Sequence, residues 1–424
     1  MRIVLLLLGA GLVYAQEYDL LLKGGYVIDP KNKISGRRDV AIKDGKIAAV
    51  AAEIPAARAA KTVNVAGLYV TPGLVDLHVH VFAGTGTEYT GPFSVRPDDH
   101  SFRSGVTTMV DAGSSGWRNF EDFKKTIIDQ AQTRVLAMLN IVGAGMAGAP
   151  EQNLQDMDPG KAAEMAGKHK NLIVGFKSAH YAGPEWTSVE NAVKAGEVAN
   201  LPIMVDFGKF RPERPYEDLV TKKLRPGDMS THMFLAMVPM LDDTGRLRPF
   251  LSEARKRGVL FDVGHGGGSF LFRQAVPAIK QGFLPDSIST DLHIGSMNGA
   301  MATMLTTLSK FINMGMTLDD VILRATWNPA RQIKREDLGH LSVGAPADVA
   351  VLRLVKGSFG FSDVNGARMA GTKKLEGELT TINGKVMWDL NGITRSDWKT
   401  LGHYGAQGDP RWDGIVRPEN RAAR

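Results

Sequence analysis

The feature that most constrains the fold is an alternation of short apolar runs with longer amphipathic segments between Thr71 and Arg335. Each apolar run has the length and composition of a buried β-strand, and the segments between them carry apolar residues at helical spacing. Strands that alternate with helices form parallel sheets, and eight of them can close into a barrel. The eight predicted strands are Leu74–His80, Val106–Ala112, Val135–Val142, Leu172–Lys177, Pro202–Phe207, Ser230–Phe234, Val259–Val263 and Ser287–Asp291. The predicted helices include Trp117–Gln132, Trp186–Ala199, Leu247–Gly258 and Phe270–Gln281.

The segments on either side of this alternation have a different pattern. Asp44-Gly45 separates two runs of alternating polarity before the barrel, and Asn383-Gly384 does the same after it. Both dipeptides favour tight hairpin turns, and neither flank could bury a sheet face alone. The predicted fold class is therefore α/β: a (β/α)8 TIM-like barrel of residues 71–337, with a small β-sandwich built from residues 16–70 and 338–424. The last part ends in an extended tail.

The first fifteen residues have the pattern of a signal peptide. Arg2 precedes the apolar run Ile3–Val13, and the sequence Val-Tyr-Ala then offers a cleavage site after Ala15. The run is about half as long as the ~20 residues that a spanning helix needs. The chain has no cysteine for a lipid anchor or a disulfide. We expect an exported protein of the periplasm or the extracellular space, without membrane association after cleavage.

The charge of the chain indicates which partners to expect. The formal net charge is +6 and the pI about 9.2, but the basic residues are spread along all 424 residues. A nucleic-acid-binding protein concentrates Lys and Arg on one face, which this sequence does not do. We expect a small-molecule substrate and no nucleic acid, and the sequence leaves oligomerisation open.

Titratable side chains stand at the carboxyl ends of the predicted strands. In TPGLVDLHVHVF, every second residue shares a face, so Asp76, His78 and His80 lie on one side of the strand. Later strands end at other such residues: Lys177, Asp206, His232, His265 and Asp291. Each of these alone has a structural explanation, such as a buried core histidine or a capping aspartate. In a closed barrel all strand ends face one cavity, and chance is a poor explanation for so many together.

Lys177 ends an apolar strand in LIVGFKSAH, where an isolated ammonium group would be costly. In one interpretation the side chain extends to the rim of the barrel. In the other, the neutral amine has added CO₂, and the resulting carbamate bridges two metal ions. Imidazoles, a bridging carboxylate and an acid are the groups that a binuclear hydrolytic site requires.

With these motifs the chain resembles the amidohydrolase superfamily, and within it the dihydroorotase, D-aminoacylase and N-acyl-amino-acid deacetylase group. The resemblance rests on VTPGLVDLHVH, GVTTMVDAGSSG, GFKSAH, STHMF, STDLH, WNPAR and LGHLSVGAPADVAVL. It implies that His78 and His80 bind one metal ion and His232 a second, with carboxylated Lys177 as the bridge. It also implies that Asp291 contacts metal and transfers the proton. The implied cofactors are two divalent ions, zinc first, with manganese or iron as alternatives.

One position departs from the pattern of the family. The fifth strand ends at Asp206, where a second histidine ligand is usual, and no histidine lies between His180 and His232. Asp206 is either a carboxylate ligand or turned away from a weak second site. As a ligand it would add negative charge and raise the pKa of a bridging water. We then expect a mildly alkaline optimum or a metal harder than zinc.

The resemblance implies metal-dependent hydrolysis of amide or cyclic amide bonds other than peptide bonds, through a metal-bridging hydroxide. His265 and His180 are candidate substrate-binding residues, and Lys209, Arg211 and Arg214 would suit a substrate carboxylate unless they belong to a solvated loop. Two alternatives stay open: a hydrolase of related small esters, and a non-catalytic ligand-binding protein of the same fold. The motif GAGMAG is followed by Ala149-Pro150, which argues against a nucleotide-binding helix there.

Overall fold

The computed structural model describes residues 16–84, 93–146, 148–208 and 210–400. The predicted signal peptide and residues 401–424 of the tail lie outside the described residues. By its internal contacts the chain divides into one unit, Met1–Leu390, and a second, Asn391–Arg424, whose described part consists of turns. Within the described ranges, every helix is too short or too polar to cross a bilayer.

The described residues contain fifteen β-strands in two sheets. In chain order they are β1 (Tyr18–Asp29), β2 (Ile34–Lys43), β3 (Lys46–Ala51), β4 (Ala59–Asn64), β5 (Tyr69–Pro72), β6 (Leu74–Val79), β7 (Val106–Gly116), β8 (Arg134–Asn140), β9 (Ile173–Ser178), β10 (Ile203–Val205), β11 (Met229–Ser230), β12 (Leu260–Phe261), β13 (Val349–Ser362), β14 (Arg368–Ile382) and β15 (Lys385–Asp389).

The described helices are mostly short. In chain order the α-helices are α1 (Phe120–Phe123), α2 (Pro159–Lys168), α3 (Thr187–Ala199), α4 (Tyr216–Asp218), α5 (Pro249–Lys256), α6 (Phe272–Lys280), α7 (Ile294–Met297), α8 (Met304–Asn313), α9 (Leu318–Leu323) and α10 (Trp327–Gln332). The π-helices are Lys124–Ile128 and Leu219–Lys223. The 3₁₀-helices are Ala56–Arg58, Pro97–Asp99, Phe102–Ser104, Ala149–Gln152 and Leu154–Asp156.

The barrel sheet consists of β6 to β12, which pair in sequence order and in parallel. Every residue of β6, β7 and β9 is buried, as expected for parallel strands that are covered on both faces. The predicted eighth strand makes single parallel bridges instead of a ladder, Ser287 with Asp262 and Leu292 with Val79. These two bridges join the segment to both edges of the sheet. The predicted barrel is confirmed.

The terminal sheet unites the two flanks of the chain, as predicted. Its order is β15-β14-β13-β5-β1-β2-β3, with β4 on β1, so strands from both ends of the sequence pair through β5 and β13. The two predicted hairpin turns are present. Asp44 and Asn383 have a φ of +48°, and the glycines that follow them have φ near +75°, which is the geometry of a tight type I′ turn.

One predicted helix is shorter in the structure than in the sequence pattern. The segment Trp117–Gln132 contains α1 and a π-helical turn, and its first residues form a turn instead of a helix. The side chain of Asn119 accepts a hydrogen bond from Gly116 N and donates one to Ala144 O. Since these bonds hold the backbone before Phe120 in a turn, the helix begins later than predicted.

Candidate active site

A cavity of about 400 Å³ lies at the carboxyl ends of the barrel strands. Its lining contains most of the predicted site residues: His78, His80, Phe93, Ser94, Ser114, Met146, Gly148, Glu151, His180, Asp206, His232, Asp291 and His293. A larger cavity of about 650 Å³ lies at the opposite ends of β10, β11 and β12 and is lined by other residues. The chemistry-bearing side chains therefore identify the smaller cavity as the candidate active site.

Three buried residues from distant parts of the chain form a cluster suited to a metal ion. Nitrogen atoms of His78 and His232 and an oxygen of Asp291 all lie within 4.8 Å of one another. The Nε2 atom of His80 is 3.1 Å from Asp291 Oδ1, and that of His78 is 3.7 Å from it. Imidazole nitrogen and carboxylate oxygen are the ligands that zinc and similar divalent ions take in proteins.

The protonation states of two members of this cluster, His78 and Asp291, favour metal binding. Burial and the neighbouring Lys177 lower the pKa of His78 to about 3, so its imidazole is neutral near pH 7. Burial raises the pKa of Asp291, but the electrostatic interactions with the neighbouring histidine rings and the hydrogen bond from His80 outweigh it and leave that pKa below its usual range. A neutral imidazole and an ionised carboxylate both present lone pairs to a cation.

Hydrogen bonds on the far side of each ring set its orientation. The Nδ1 atom of His78 is 3.0 Å from Thr231 Oγ1, and the Thr231 hydroxyl donates to Asp262 Oδ2 at 2.8 Å. The hydroxyl must therefore accept the Nδ1–H of His78, which makes Nε2 the ring nitrogen that carries the lone pair. His232 donates from Nδ1 to Gly264 O at 2.6 Å, so Nε2 is the nitrogen that could bind an ion once the ring is neutral. Such partners are the usual surroundings of metal-binding histidines.

Lys177 lies inside this cluster. It is fully buried, and its Nζ is 3.0 Å from His78 Nε2 and 3.7 Å from Met204 Sδ. Burial lowers the pKa of Lys177, and the surrounding aspartates act in the opposite direction. An imidazole nitrogen and a thioether are poor surroundings for an ammonium group, so the environment fits a neutral amine or its carbamate. The donor set of the cavity fits the metal ions that the sequence implies.

Asp206 belongs to a chain of three charged side chains. Its Oδ2 is 3.4 Å from His232 Nε2 and 3.0 Å from His180 Nε2, and His180 Nδ1 is 2.9 Å from Glu151 Oε2. Burial lowers the pKa of His180, but the two carboxylates outweigh it and hold that pKa well above its usual value. His180 lines the cavity, where a substrate-binding role remains a prediction. Asp206 is close enough to His232 to share an ion with it.

Three of these residues adopt left-handed backbone conformations. The φ angles of His180, His232 and Asp291 are +56°, +58° and +50°. Such angles are uncommon outside glycine, although Asp and His tolerate them better than most residues. Strained backbone of this kind is typical of functional sites, where the surrounding structure holds side chains in position.

The structure corrects the prediction that His265 binds substrate. Its ring is fully buried, stacks on Phe270 with ring centroids 4.4 Å apart, and accepts a hydrogen bond from Lys310 Nζ at 2.6 Å. It does not line the cavity, because its contacts with these two partners hold the ring against Phe270 and α8. Tertiary packing decides the orientation of His265, and the GGG motif that follows it in the sequence does not predict that packing.

The structure also places Arg211 and Arg214, two of the residues predicted to suit a substrate carboxylate, outside the lining of the cavity. Arg214 is almost fully buried, with its guanidinium group over the rings of Tyr181 and Phe207. Arg211 donates to Ala182 O. Neither arginine lines the cavity, and Lys209 lies outside the described residues. The two arginines therefore hold loops together instead of facing a substrate carboxylate.

Sequence reasoning missed one site residue and gave another no role. Glu151 is buried and accepts a hydrogen bond from Gly148 N at 3.1 Å, besides its contact with His180. An acid directly after the GAGMAGAP loop was the only available signal.

His293 lines the cavity with its Nε2 3.8 Å from Asp291 Oδ2, as its position two residues after Asp291 would allow.

Comparison with known proteins identifies relatives of this chain. The sequence profile of the amidohydrolase family matches residues 272–387. A deacetylase of Agrobacterium fabrum is 36% identical over 333 residues, which are 76% of this chain and 80% of that protein. The crystal structure of an adenine deaminase matches with a TM-score of 0.80 and 29% identity, over 88% of this chain and all of the other. A dihydroorotase structure matches with a TM-score of 0.76 and 32% identity, over 87% and 99%.

Proposed function

We propose that this chain, which belongs to the amidohydrolase superfamily, hydrolyses small N-acylated or cyclic amides with two divalent metal ions, zinc first. It is a hydrolase of carbon–nitrogen bonds other than peptide bonds, and the deacetylase and dihydroorotase relatives support an amide substrate. The observation that carries the proposal is the buried cluster of His78, His232 and Asp291, with Lys177 Nζ 3.0 Å from His78 Nε2.

The residues that would hold the ions follow from the donor atoms. His78 and His80 would hold one ion and His232 the other, with Lys177 as a carbamate between them. Asp206 is a further ligand candidate, because its Oδ2 is 3.4 Å from His232 Nε2. When bound, such ions polarise a substrate carbonyl and lower the pKa of water.

Asp291 is the residue that would move the proton. Its carboxylate is ionised and close to both His80 and His293, at 3.1 and 3.8 Å, so it lies within the cavity that the substrate would occupy. A carboxylate in this position accepts a proton from attacking water and returns it to the leaving nitrogen. Phe93 and Met146 supply apolar surface beside it, which would exclude water from a small acyl group or ring.

The location proposed for the enzyme follows from the first fifteen residues. Their basic start and apolar run support export, which argues against a role in pyrimidine synthesis within the cell. The substrates would then be small amides scavenged outside the cytoplasm. Expression with and without residues 1–15, followed by fractionation, tests this: export that does not depend on the segment would contradict it.

The activity is tested with a substrate panel. Protein purified without chelators and supplied with Zn²⁺ or Mn²⁺ is assayed on N-acetyl-D- and N-acetyl-L-amino acids, hydantoins, dihydropyrimidines and aryl acetates, with Asp291→Asn as the matched inactive control. We expect turnover of at least one amide class, absent from the control. Turnover of aryl acetates alone would indicate an esterase. No turnover together with no bound metal would indicate a ligand-binding protein.

A further inference from the structure

Lys310 in α8 is a fully buried lysine with a complete set of acceptors. Its Nζ is 2.6 Å from His265 Nε2, 2.7 Å from Ala300 O and 2.8 Å from Ser362 O. His265 donates from Nδ1 to Gly266 O at 3.0 Å, so its Nε2 is an acceptor. Burial lowers the pKa of Lys310 to about 7. Three acceptors match the three N–H bonds of an ammonium group, and this complete set of partners stabilises the charged form.

The first acceptor, His265, belongs to a segment that contacts the cluster of His78, His232 and Asp291. We call Gly264–Gly266 the floor loop. The carbonyl of Gly264 accepts the hydrogen bond from His232, and a Cβ added at Gly264 would lie 3.0 Å from His78 Nδ1. A Cβ added at Gly266 would lie 2.4 Å from Asp291 Oδ2. The floor loop therefore touches all three members of the cluster, with no room for a side chain between them.

The other two acceptors belong to segments that hold the site from different directions. Ala300 follows α7, whose Ser296 donates to Asp291 O at 2.8 Å. Ser362 ends β13 in the terminal sheet, and the next residue, Asp363, accepts a hydrogen bond from Phe272 N at 3.2 Å. One ammonium group thus joins the floor loop, the segment after Asp291 and the terminal sheet.

We propose that Lys310 is a positioning residue for the reaction, because its ammonium group holds the floor loop against the terminal sheet and thereby sets the spacing of His232 and Asp291. The inference rests on the proposed function, since the cluster is taken as the reaction centre. Metal sites and catalytic groups need positions accurate to about 0.5 Å, so a loop in contact with three of them requires an anchor. Lys310 itself touches neither the cavity nor the cluster.

The test compares Lys310→Met with Ser309→Ala. Methionine preserves the length of the side chain but donates no hydrogen bond. Ser309, the preceding residue, is equally buried and also joins α8 to the terminal sheet, where its Oγ accepts from Leu375 N at 2.9 Å. It has no contact with the floor loop, so it controls for the loss of a buried bond between α8 and the sheet. His265→Leu is a second variant, which removes one acceptor and leaves the lysine in place.

Each protein is measured in three ways: the thermal unfolding midpoint, the retention of Zn²⁺ against a competing chelator without substrate, and kcat and KM. We expect Lys310→Met to lower kcat by about 10- to 100-fold, with KM changed by less than about threefold, and to weaken Zn²⁺ retention. His265→Leu should show a smaller loss of the same kind. Ser309→Ala should lower the unfolding midpoint and leave kcat and Zn²⁺ retention within about twofold of wild type.

The outcomes separate this inference from the proposed function. If wild-type protein turns over substrate but Lys310→Met and His265→Leu differ from Ser309→Ala in stability alone, Lys310 is merely structural. If Lys310→Met does not fold, His265→Leu decides on the same readouts, and unchanged kcat and Zn²⁺ retention would overturn the inference. Wild-type protein that neither retains metal nor hydrolyses any amide would refute the proposed function and this inference with it.

Discussion

The two sides of the cavity are built differently. On the His78 side, which comprises His78, His80 and Lys177, the side chains are almost fully buried and ring nitrogens have fixed partners on neutral hydroxyls. On the Asp206 side, which comprises Asp206, His180 and Glu151, both ring nitrogens of His180 contact carboxylates, and the side chain of His180 is 48% exposed.

This difference indicates which side chains of the site can be replaced at a lower cost. On the His78 side, hydroxyl partners hold both rings in place, and the neutral imidazole of His78 already presents the lone pair of Nε2, so little reorganisation is needed when an ion binds. On the Asp206 side, charges are balanced among three residues, and the one that joins the two carboxylates, His180, is half exposed. We therefore expect substitutions on the His78 side to cost more activity than substitutions on the Asp206 side.

The largest effect should come from the buried end of the His78 side. Lys177→Ala removes the only amine beside His78 among the described residues, and with it the proposed bridge. We expect both ions to be lost and kcat/KM to fall by more than the roughly 100-fold that an outer-shell partner is worth. Elemental analysis and kinetics measure this, with Lys194→Ala on the exposed face of α3 as control. Two retained ions in Lys177→Ala would show that the lysine is not a bridge.

A smaller effect should follow when the hydroxyl network behind His78 changes. Asp262 accepts hydrogen bonds from Thr231, Ser287 and Ser289 at 2.8, 2.6 and 2.7 Å. In Asp262→Asn an amide NH₂ replaces one acceptor oxygen, so one of the hydroxyl groups must accept a hydrogen bond instead of donating it. The tautomer of His78 is then no longer fixed. We expect metal affinity to fall about 10- to 100-fold in a chelator competition assay. Ser287→Ala, which leaves the Thr231 contact intact, should lose less, and equal losses would contradict this account.

A change on the Asp206 side should affect one ion instead of two. We expect Asp206→Ala to retain the ion at His78 and lose the one at His232, with activity about tenfold lower. Asp206→His should retain both ions and shift the pH optimum downward, because a neutral ligand leaves more positive charge to lower the pKa of water. Metal counts and pH–rate profiles check both variants. One ion per chain in wild type, with none lost in Asp206→Ala, would remove Asp206 from the ligands.

The smallest effect concerns the stability of the metal-free protein. The pKa of His180 is raised in the folded protein, so its contacts with Asp206 and Glu151 stabilise the fold. This stabilisation is complete below pH 6.5, the ordinary pKa of histidine, and disappears as the pH rises through the raised pKa. The difference in free energy of unfolding between wild type and His180→Gln should shrink in alkaline buffer. Because His180 is half exposed, we expect about 1 kcal/mol or less. Urea titrations at several pH values measure it, and a constant difference would be contrary to this assignment.

The sequence predicted the residues at the strand ends better than those in loops. His78, Lys177, His232 and Asp291 were predictable because a buried strand has a period of two and parallel strands end at one edge of a barrel. Glu151 was missed because its loop has no periodic pattern.

His265 was placed wrongly although it follows a strand like the others. The contacts that decide its direction, with Phe270 and Lys310, come from a neighbouring loop and from a helix 45 residues along the chain. Such contacts leave no trace in the local pattern around His265. The predicted helix at Trp117 begins late for a related reason, since Asn119 and a carbonyl from the loop after β8 hold its first residues in a turn.

The sequence by itself determined the barrel, the sheet made from both flanks and the set of titratable side chains at one rim. These depend on local periodicity, on turn residues and on the rule that parallel strands align their ends. The tertiary structure alone decided which rim residues face the cavity, that His180 and Glu151 accompany Asp206, and that Lys310 connects the floor loop to the terminal sheet. Side-chain direction and hydrogen-bond partnership depend on groups far apart in the chain, and only the packed fold brings those groups within 3 Å of one another.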